Sequence, residues 1–306
     1  MPNLMADPQA IIVDTTSKAF ADRAEKTRSI GVCIASHNRR ETTLKCLRRL
    51  FDADLPPAVS LSVYLVDDGS TDGTAEAVAA EFPCVSIFRG SGDLFWGGGM
   101  RKALSAAMAA GHDFYLWLND DIELFDDSIA RAVATHDSIV ADGKDFIIVG
   151  ATRDQSGATT YSGMVRAWPN PIGFRHVEPD PSKPVECEAS NGNFVLIPRP
   201  VAESLRNIDP RFTHRMGDID YILRAADKGY SCWLCPGYVA TCEKNLIAAG
   251  WLSRRHSLKK RWQLATSPLG LPPRQWLAFG YRHGGLLGLA VALRHYGRVL
   301  FPGNAR

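Results

Sequence analysis

Three apolar runs in the first half of the chain each stop at a cluster of polar residues, and this repeat constrains the fold more than any other feature. Ser29–Ser36 (SIGVCIAS) ends at Ser36-His37-Asn38, Leu61–Val66 ends at Asp67-Asp68, and Phe114–Leu118 (FYLWL) ends at Asn119-Asp120-Asp121. Short runs rich in β-branched and aromatic residues read as buried strands. Between them lie stretches of helical spacing. Residues 40–51 put Leu44, Leu47, Leu50 and Phe51 on one face before Pro56-Pro57, and residues 75–82, 100–110 and 126–136 follow suit. Val85–Phe88 and Phe146–Ala151 add further strands. Strands alternating with helices predict a mostly parallel α/β sheet with right-handed crossovers. Ligands of such sheets bind beyond the carboxyl ends of the strands. The three polar clusters should therefore meet on one rim.

Two adjacent carboxylates at a buried strand end repel each other and cost desolvation energy. Asp67, Asp68, Asp120 and Asp121 on one rim call for a counter-charge. A hard divalent cation such as Mg²⁺ or Mn²⁺, held together with a substrate phosphate, would supply it. The plainer alternative is a pair of helix caps and a solvated turn.

Taken in order, "GVCIASHNRRETTLKCLRRL", "YLVDDGSTDGT" and "FYLWLNDDIEL" resemble the family 2 glycosyltransferases, whose fold is GT-A. "GDLFWGGGMRKAL", "SNGNFVLIPR" and "MGDIDYILRAADKGY" extend the likeness toward a bacterial branch with rhamnosyltransferase-like members. The resemblance covers roughly residues 29–243. It implies inverting transfer of a sugar from a nucleotide diphosphate donor, dTDP-rhamnose or a UDP-sugar, to a saccharide or lipid-linked acceptor in surface polysaccharide synthesis. It implies that Asp68 contacts the base, that Ala35 and His37 line the base and ribose pocket, and that Asp120 takes the ribose side. Arg39 and Asn119 belong to the same nucleotide-sugar set. Asp121 is implied as the metal ligand and Asp218 as the catalytic base.

The chemistry of a single displacement needs a base for the acceptor hydroxyl and a Lewis acid for the departing diphosphate. No Ser/His/Asp set or G-x-S-x-G is visible. Asp218 opens a predicted helix whose apolar face is Ile219, Ile222, Leu223 and Ala226 and which Gly229 ends. The helix dipole is expected to keep its carboxylate ionised; a simple N-cap is the alternative. Asp220 points elsewhere and reads as structural. Many relatives carry a histidine shortly after this helix. Here "PGYVATCEKN" offers Cys242 and Glu243 instead, and a hard cation would prefer Glu243.

Weaker signals remain open. Gly97, Gly98 and Gly99 read as a loop preceding a helix, either bringing amides to a diphosphate or serving as a hinge. Trp96 packs on the sugar, in the core or in a lid. Arg101 meets the diphosphate or is a solvated charge. Residues 158–186 read as two strands around "WPNPIG" on the acceptor side, and Asn191 and Asn193 face sugar or acceptor hydroxyls or are turn residues. Cys232 and Cys235 of "CWLC" fall on opposite faces of a strand and read as core residues, not a zinc pair.

The chain divides into a lead-in (1–28), a catalytic region (29–243, halved at 151/152) and a basic extension (244–306). The formal net charge of +2 hides a split. No acid follows Glu243 while eleven Lys and Arg do, leaving 24 basic against 33 acidic side chains before it. Residues 285–301 are apolar with basic punctuation. They are too short to span a bilayer, and suit an anionic membrane surface, packing on the body or a homodimer contact. Nothing resembles a nucleic-acid-binding module. No signal peptide is read in residues 1–28. Seven scattered cysteines suggest a reducing, cytoplasmic setting, with the inner face of the plasma membrane as the peripheral alternative. A nucleotidyltransferase and a non-catalytic nucleotide-sugar-binding partner are the competing functions.

Overall fold

A computed structural model describes residues 27–139, 145–244 and 250–301. Much of the expected lead-in lies outside the described residues. Its first half follows the alternation: β1 (Arg28–Ser36), α1 (Arg40–Phe51), β2 (Val59–Asp67), α2 (Thr74–Glu81), β3 (Ser86–Arg89), α3 (Phe95–Ala110), β4 (Phe114–Leu118), β5 (Glu123–Leu124), α4 (Ser128–Ile139) and β6 (Phe146–Arg153). A run of short strands follows: β7 (Thr159–Tyr161), β8 (Gly163–Ala167), β9 (Asn170–His176), β10 (Val185–Cys187), β11 (Ala189–Ser190) and β12 (Phe194–Pro198). The chain closes with α5 (Arg199–Leu205), α6 (Gly217–Asp227), β13 (Ser231–Thr241), α7 (Leu258–Thr266) and α8 (Pro273–Leu300).

The main sheet runs β10-β13-β6-β12-β4-β1-β2-β3. β3, β2, β1 and β4 are parallel, as are β6 and β13, while β12 inserts antiparallel between β4 and β6. The fold is thus mixed α/β with a mostly parallel centre. Register explains the rim. Ser36 pairs with Asp67, so the first two polar clusters sit side by side. Because β12 runs the other way, its start lies beside the end of β4: Phe194 pairs with Leu118, which sets Asn193 next to Asn119. β5 pairs Glu123 with Thr241 of β13, which brings Cys242-Glu243 to Asp121.

Apolar clusters cover both faces of the sheet. One holds Leu47, Leu65, Leu116 and Ile148; the other holds Trp117, Tyr115, Val195 and Tyr221. Cys232 belongs to the second and Cys235 to the first, as strand alternation requires. A third cluster joins α8 to α6 and the β8–β9 hairpin through Phe279, Trp276, Leu223 and Ile172. The basic extension is therefore packed in part on the α/β body, and no helix among the described residues is long and apolar enough to cross a membrane.

Gly97–Gly99 correct the sequence reading. They lie inside α3, which begins at Phe95, and not in a loop before it. Glycine is a poor helix former, so propensity argues for a loop; close packing overrides it. A Cβ at Gly97 would run into the backbone oxygens of Phe212 and Thr213, and one at Gly99 would sit 2.7 Å from the Ala35 Cβ.

Candidate functional site

The first polar cluster is arranged by β1 and the turn after β2. His37 is exposed, and its Nδ1 lies 2.6 Å from the Asp68 carbonyl oxygen while Nε2 lies 3.1 Å from Asn38 Nδ2. Ala35 is half-buried against α3. Asp67 and Asp68 turn out to have compensation of their own. Asp67 is fully buried and accepts from Arg89 Nη1 at 2.7 Å and from the Ser70 amide at 3.2 Å. Asp68 accepts from the amides of Gly92 (2.8 Å) and Phe95 (2.9 Å), so it holds the loop that enters α3. The demand for an added cation thus narrows from four carboxylates to two.

Those two are Asp120 and Asp121. A single guanidinium nitrogen, Arg39 Nη1, donates to Asp120 Oδ1 at 3.0 Å and Asp121 Oδ2 at 2.8 Å. Thr43 Oγ1 adds a long bond of 3.4 Å to Asp120 Oδ2 and is itself 2.8 Å from Ser36 Oγ. Burial pushes the Asp120 carboxyl up to about 6, against the pull of Arg39 and with the push of Asp121. Burial works against the charge on Arg39, but the two carboxylates outweigh it and raise its pKa. The pair therefore sits in a field that rewards positive charge, and Arg39, the guanidinium bonded to it, is more than a third exposed.

A cavity of about 320 Å³ opens beside this pair, lined by Arg39, Asp121, Gln155, Cys242 and Glu243 among others. Glu243 is exposed and its Oε1 accepts from the Gln155 amide at 3.2 Å. Burial, with Asp121 and Glu243 nearby, pushes the Cys242 thiol up to about 12, and a soft sulfur is in any case a poor match for a hard cation. Among the described residues no three His, Cys, Asp or Glu side chains are grouped for a metal ion. The donor set fits a hard cation in the manner of sites built from one or two carboxylates plus substrate phosphates: Asp121 would be the protein ligand to such a cation, and Glu243 lines the same cavity.

The second half of the rim is tied on by a chain of side chains. Trp96 Nε1 donates to Asn119 Oδ1 (2.8 Å), and Asn119 Nδ2 donates to Asn193 Oδ1 (2.8 Å). Next to Asn193, the Gly192 amide donates to Asp218 Oδ2 at 2.9 Å, and the Ile219 amide donates to Asp218 Oδ1 at 2.9 Å. Asp218 is not the N-cap of α6; Met216 holds that position, at φ 71°. Burial raises the Asp218 pKa even though both amides pull it down. The direction is opposite to the dipole argument, because the helix end is desolvated. Asn191 is half-buried, and its carbonyl oxygen accepts from Ser190 Oγ at 3.1 Å.

Gly98 and Arg101 fare less simply. The Gly98 amide donates to the Leu94 carbonyl at 3.0 Å, and that of Gly97 to Thr213 at 2.7 Å. Neither amide is spare for a phosphate. Arg101 is half-buried, and its Nη1 is buried without a protein partner among the described residues.

Two residues escaped sequence reading, His214 and Arg215. Like Asn193 Nδ2, His214 Nδ1 is buried without a protein partner among the described residues. Burial, then the charges of Arg215 and Arg39, push His214 down to about 4, so it is a neutral imidazole. Arg215 lies within electrostatic reach of Asp218 and donates from Nε to the Leu269 carbonyl at 2.8 Å. Their only sequence signal is their place just before "GDIDY".

Comparison with protein families gives a match over residues 31–196 to the model described as glycosyl transferase family 2, more than half of the chain. The chain belongs to this family. The search of curated proteins returned no match. Among solved structures, the chain is similar to GalNAc-T7 with UDP, GalNAc and Mn²⁺ (TM-score 0.55, 16% identity, 71% of this chain and 44% of that one). It is similar to the mannosyltransferase PcManGT from Pyrobaculum calidifontis in complex with GDP-Man and Mn²⁺ (0.51, 17%, 92% and 77%), and to TarS of S. aureus (0.51, 13%, 83% and 45%). The chain spans less than half the length of the GalNAc-T7 and TarS chains. At these identities the likeness is one of fold, the GT-A architecture of this family.

Proposed function

We propose that this chain transfers a sugar from a nucleoside diphosphate donor to a saccharide acceptor with inversion at the anomeric carbon. The observation that carries the proposal is the hydrogen-bonded path that joins the acidic strand end to Asp218: Asn119 next to Asp120-Asp121, Asn193 bonded to Asn119, and the neighbouring Gly192 amide on Asp218. Donor end and base end are thereby parts of one frame. Family membership and two structures of the same fold, one with UDP, GalNAc and Mn²⁺ and one with GDP-Man and Mn²⁺, support the donor class.

In the displacement, the acceptor hydroxyl oxygen forms the new bond to the anomeric carbon. The old bond to the diphosphate oxygen breaks, and its electron pair leaves with the nucleotide. The acceptor's proton passes to Asp218, whose raised pKa brings it nearer to neutrality as a base. Asp218 is held by the Gly192 and Ile219 amides, so it takes the proton without being reoriented. When bound, a divalent cation at Asp121 supplies Lewis-acid stabilisation of the leaving diphosphate. Arg39 offsets part of the charge of the carboxylate pair before donor arrives, and His214 and Asn193 carry polar atoms that have no protein partner among the described residues and suit hydroxyl groups. The donor we take to be dTDP-rhamnose or a UDP-sugar, and the acceptor a saccharide, lipid-linked, of a bacterial surface polysaccharide.

A non-catalytic nucleotide-sugar-binding partner is the second reading, favoured by Cys242 and by the Glu243 side chain turned to Gln155. A panel of nucleoside diphosphate sugars, assayed with Mn²⁺ and again with chelator, separates the two. Formation of an inverted glycoside on an added acceptor, seen by NMR, is expected. Donor binding without any glycoside across the panel would leave the partner reading.

A further inference from the structure

The last part of α8 is apolar on both faces. Gly288, Ala292, Tyr296 and Val299 are buried. On the outer side Leu286, Ala290, Leu293, Gly297 and Leu300 recur at alternating four- and three-residue steps, one stripe along a helix, and all are exposed. Leu286 keeps 78% of its surface in solvent and Leu293 53%. A helix on a water-facing surface carries polar residues there. Instead, Leu287, Arg294 and Arg298 border the stripe. The apolar surface continues past the helix end to exposed Phe301 and sideways to exposed Trp262 of α7. The Trp262 ring lies 6.0 Å from that of Tyr296, which is one turn from both Leu293 and Leu300. A kink at Gly285 (φ 56°, ψ −144°) sets this part apart from the first part of α8, which Arg282 and His283 fasten to Asp220.

We infer that this outer face is a docking surface for an anionic lipid bilayer, lying in the plane of the interface. Fifteen residues of helix reach about 22 Å, short of the hydrocarbon thickness, so the helix rests on the membrane and does not cross it. Charge selects the occupant. No acid follows Glu243 in the sequence, and the tail carries eleven Lys and Arg. A second copy laid on the stripe would set arginine borders and basic tails against each other without a carboxylate from the tail to pair them. An anionic headgroup layer supplies that counter-charge, and an apolar stripe with an arginine border and a tryptophan flank is the pattern of an interfacial helix. The surface is independent of the transfer chemistry, although it would hold the site beside a lipid-linked acceptor.

The test is flotation of the full-length chain with vesicles of phosphatidylcholine alone and of phosphatidylcholine with phosphatidylglycerol. Binding to the second and not the first is expected, weakening as salt rises. Leu293→Glu should weaken it by about tenfold or more. Arg294→Gln and Arg298→Gln should each weaken it by about fivefold. Nucleotide affinity should stay unchanged in all three, as the control for an intact fold; should Leu293→Glu fail that control, the exposed arginines carry the test. Absence of flotation with the anionic vesicles overturns the inference, as does binding indifferent to all three substitutions. So does a dimer in light scattering that Leu293→Glu dissolves without any lipid binding, which would give the face to a second copy. Loss of sugar transfer with flotation intact would strike the proposed reaction and leave this surface standing.

Discussion

Asp120 and Asp220 are both buried carboxylates facing arginine, and the fold serves them very differently. At the junction of α6 and α8, Asp220 is fully buried and accepts from Arg282 Nη1 (2.5 Å), His283 Nε2 (2.9 Å) and Arg224 Nε (2.9 Å). Arg282 also reaches Asp209 at 2.8 Å, which draws the loop before α6 into the same cluster. At the strand-end rim, Asp120 shares one nitrogen of Arg39 with Asp121, and that arginine is 42% exposed and lines a cavity. One cluster is closed by the chain's own donors. The other leans on an arginine that is itself open to solvent beside a cavity. A buried acid closed in by buried partners belongs to architecture; one held by a partly exposed arginine beside a cavity is a candidate for chemistry.

The contrast can be broken most directly at Asp218, which lies beside both clusters. Asp218→Asn should lower turnover by about 10²- to 10⁴-fold while leaving nucleotide affinity unchanged. For the wild type, the acid limb of kcat/KM should fall above the ordinary aspartate range, since burial raises the Asp218 pKa, with activity lost as pH falls through it. The linkage sign for stability is the reverse: a carboxyl whose pKa is raised on folding gains stability as it is protonated, so the gap in thermal midpoint between wild type and Asp218→Asn should narrow as pH falls. Turnover of the variant within threefold of wild type would end the assignment. Next in size, Asp220→Ala should cost about 3–5 kcal/mol in chemical denaturation, because two arginines and a histidine lose their buried partner. Asp121→Ala, by contrast, should leave the midpoint within about 1 kcal/mol and remove metal-dependent nucleotide binding in calorimetry. Equal stability costs at the two sites would erase the distinction. The smallest effect is expected at Arg39. Arg39→Ala should tighten Mn²⁺ binding without nucleotide by about tenfold, read by electron paramagnetic resonance, since a charge-assisted pair worth about 1.5–3 kcal/mol no longer competes for the carboxylates. Unchanged or weaker Mn²⁺ binding would show that Arg39 and the cation do not contend for one place.

Sequence patterning carried the strand-end rim because its signals are local. An apolar run followed at once by Asp120-Asp121 can be read within a dozen residues, and so can the amphipathic helix behind Asp218. The antiparallel insertion of β12 could not be read: "NFVLIP" is equally strand-like beside any neighbour, and the choice of neighbour is made by packing across the whole sheet. For the same reason the Trp96–Asn119–Asn193 path was invisible, since its members sit far apart in the chain and meet only through register. Asp67 and Asp68 looked like members of an uncompensated set because their partners, Arg89 and the amides of Gly92 and Phe95, lie on the next strand and loop. In the tail, apolar spacing announced a helix, but only the folded neighbours of Gly288, Ala292 and Tyr296 decide which side faces out.

The glycines at the head of α3 have one more implication. The Gly97 amide is bonded to the Thr213 oxygen, and Gly99 rests on Ala35. The loop leading to Asp218 and the strand leading to His37 are thus clamped on either side of a backbone that has no side chain to interpose. The gauge between these two segments is set by hydrogen atoms, and a single methyl group at residue 97 would act as a shim, prying the loop before Asp218 away from the strand that leads to His37 without touching either side chain.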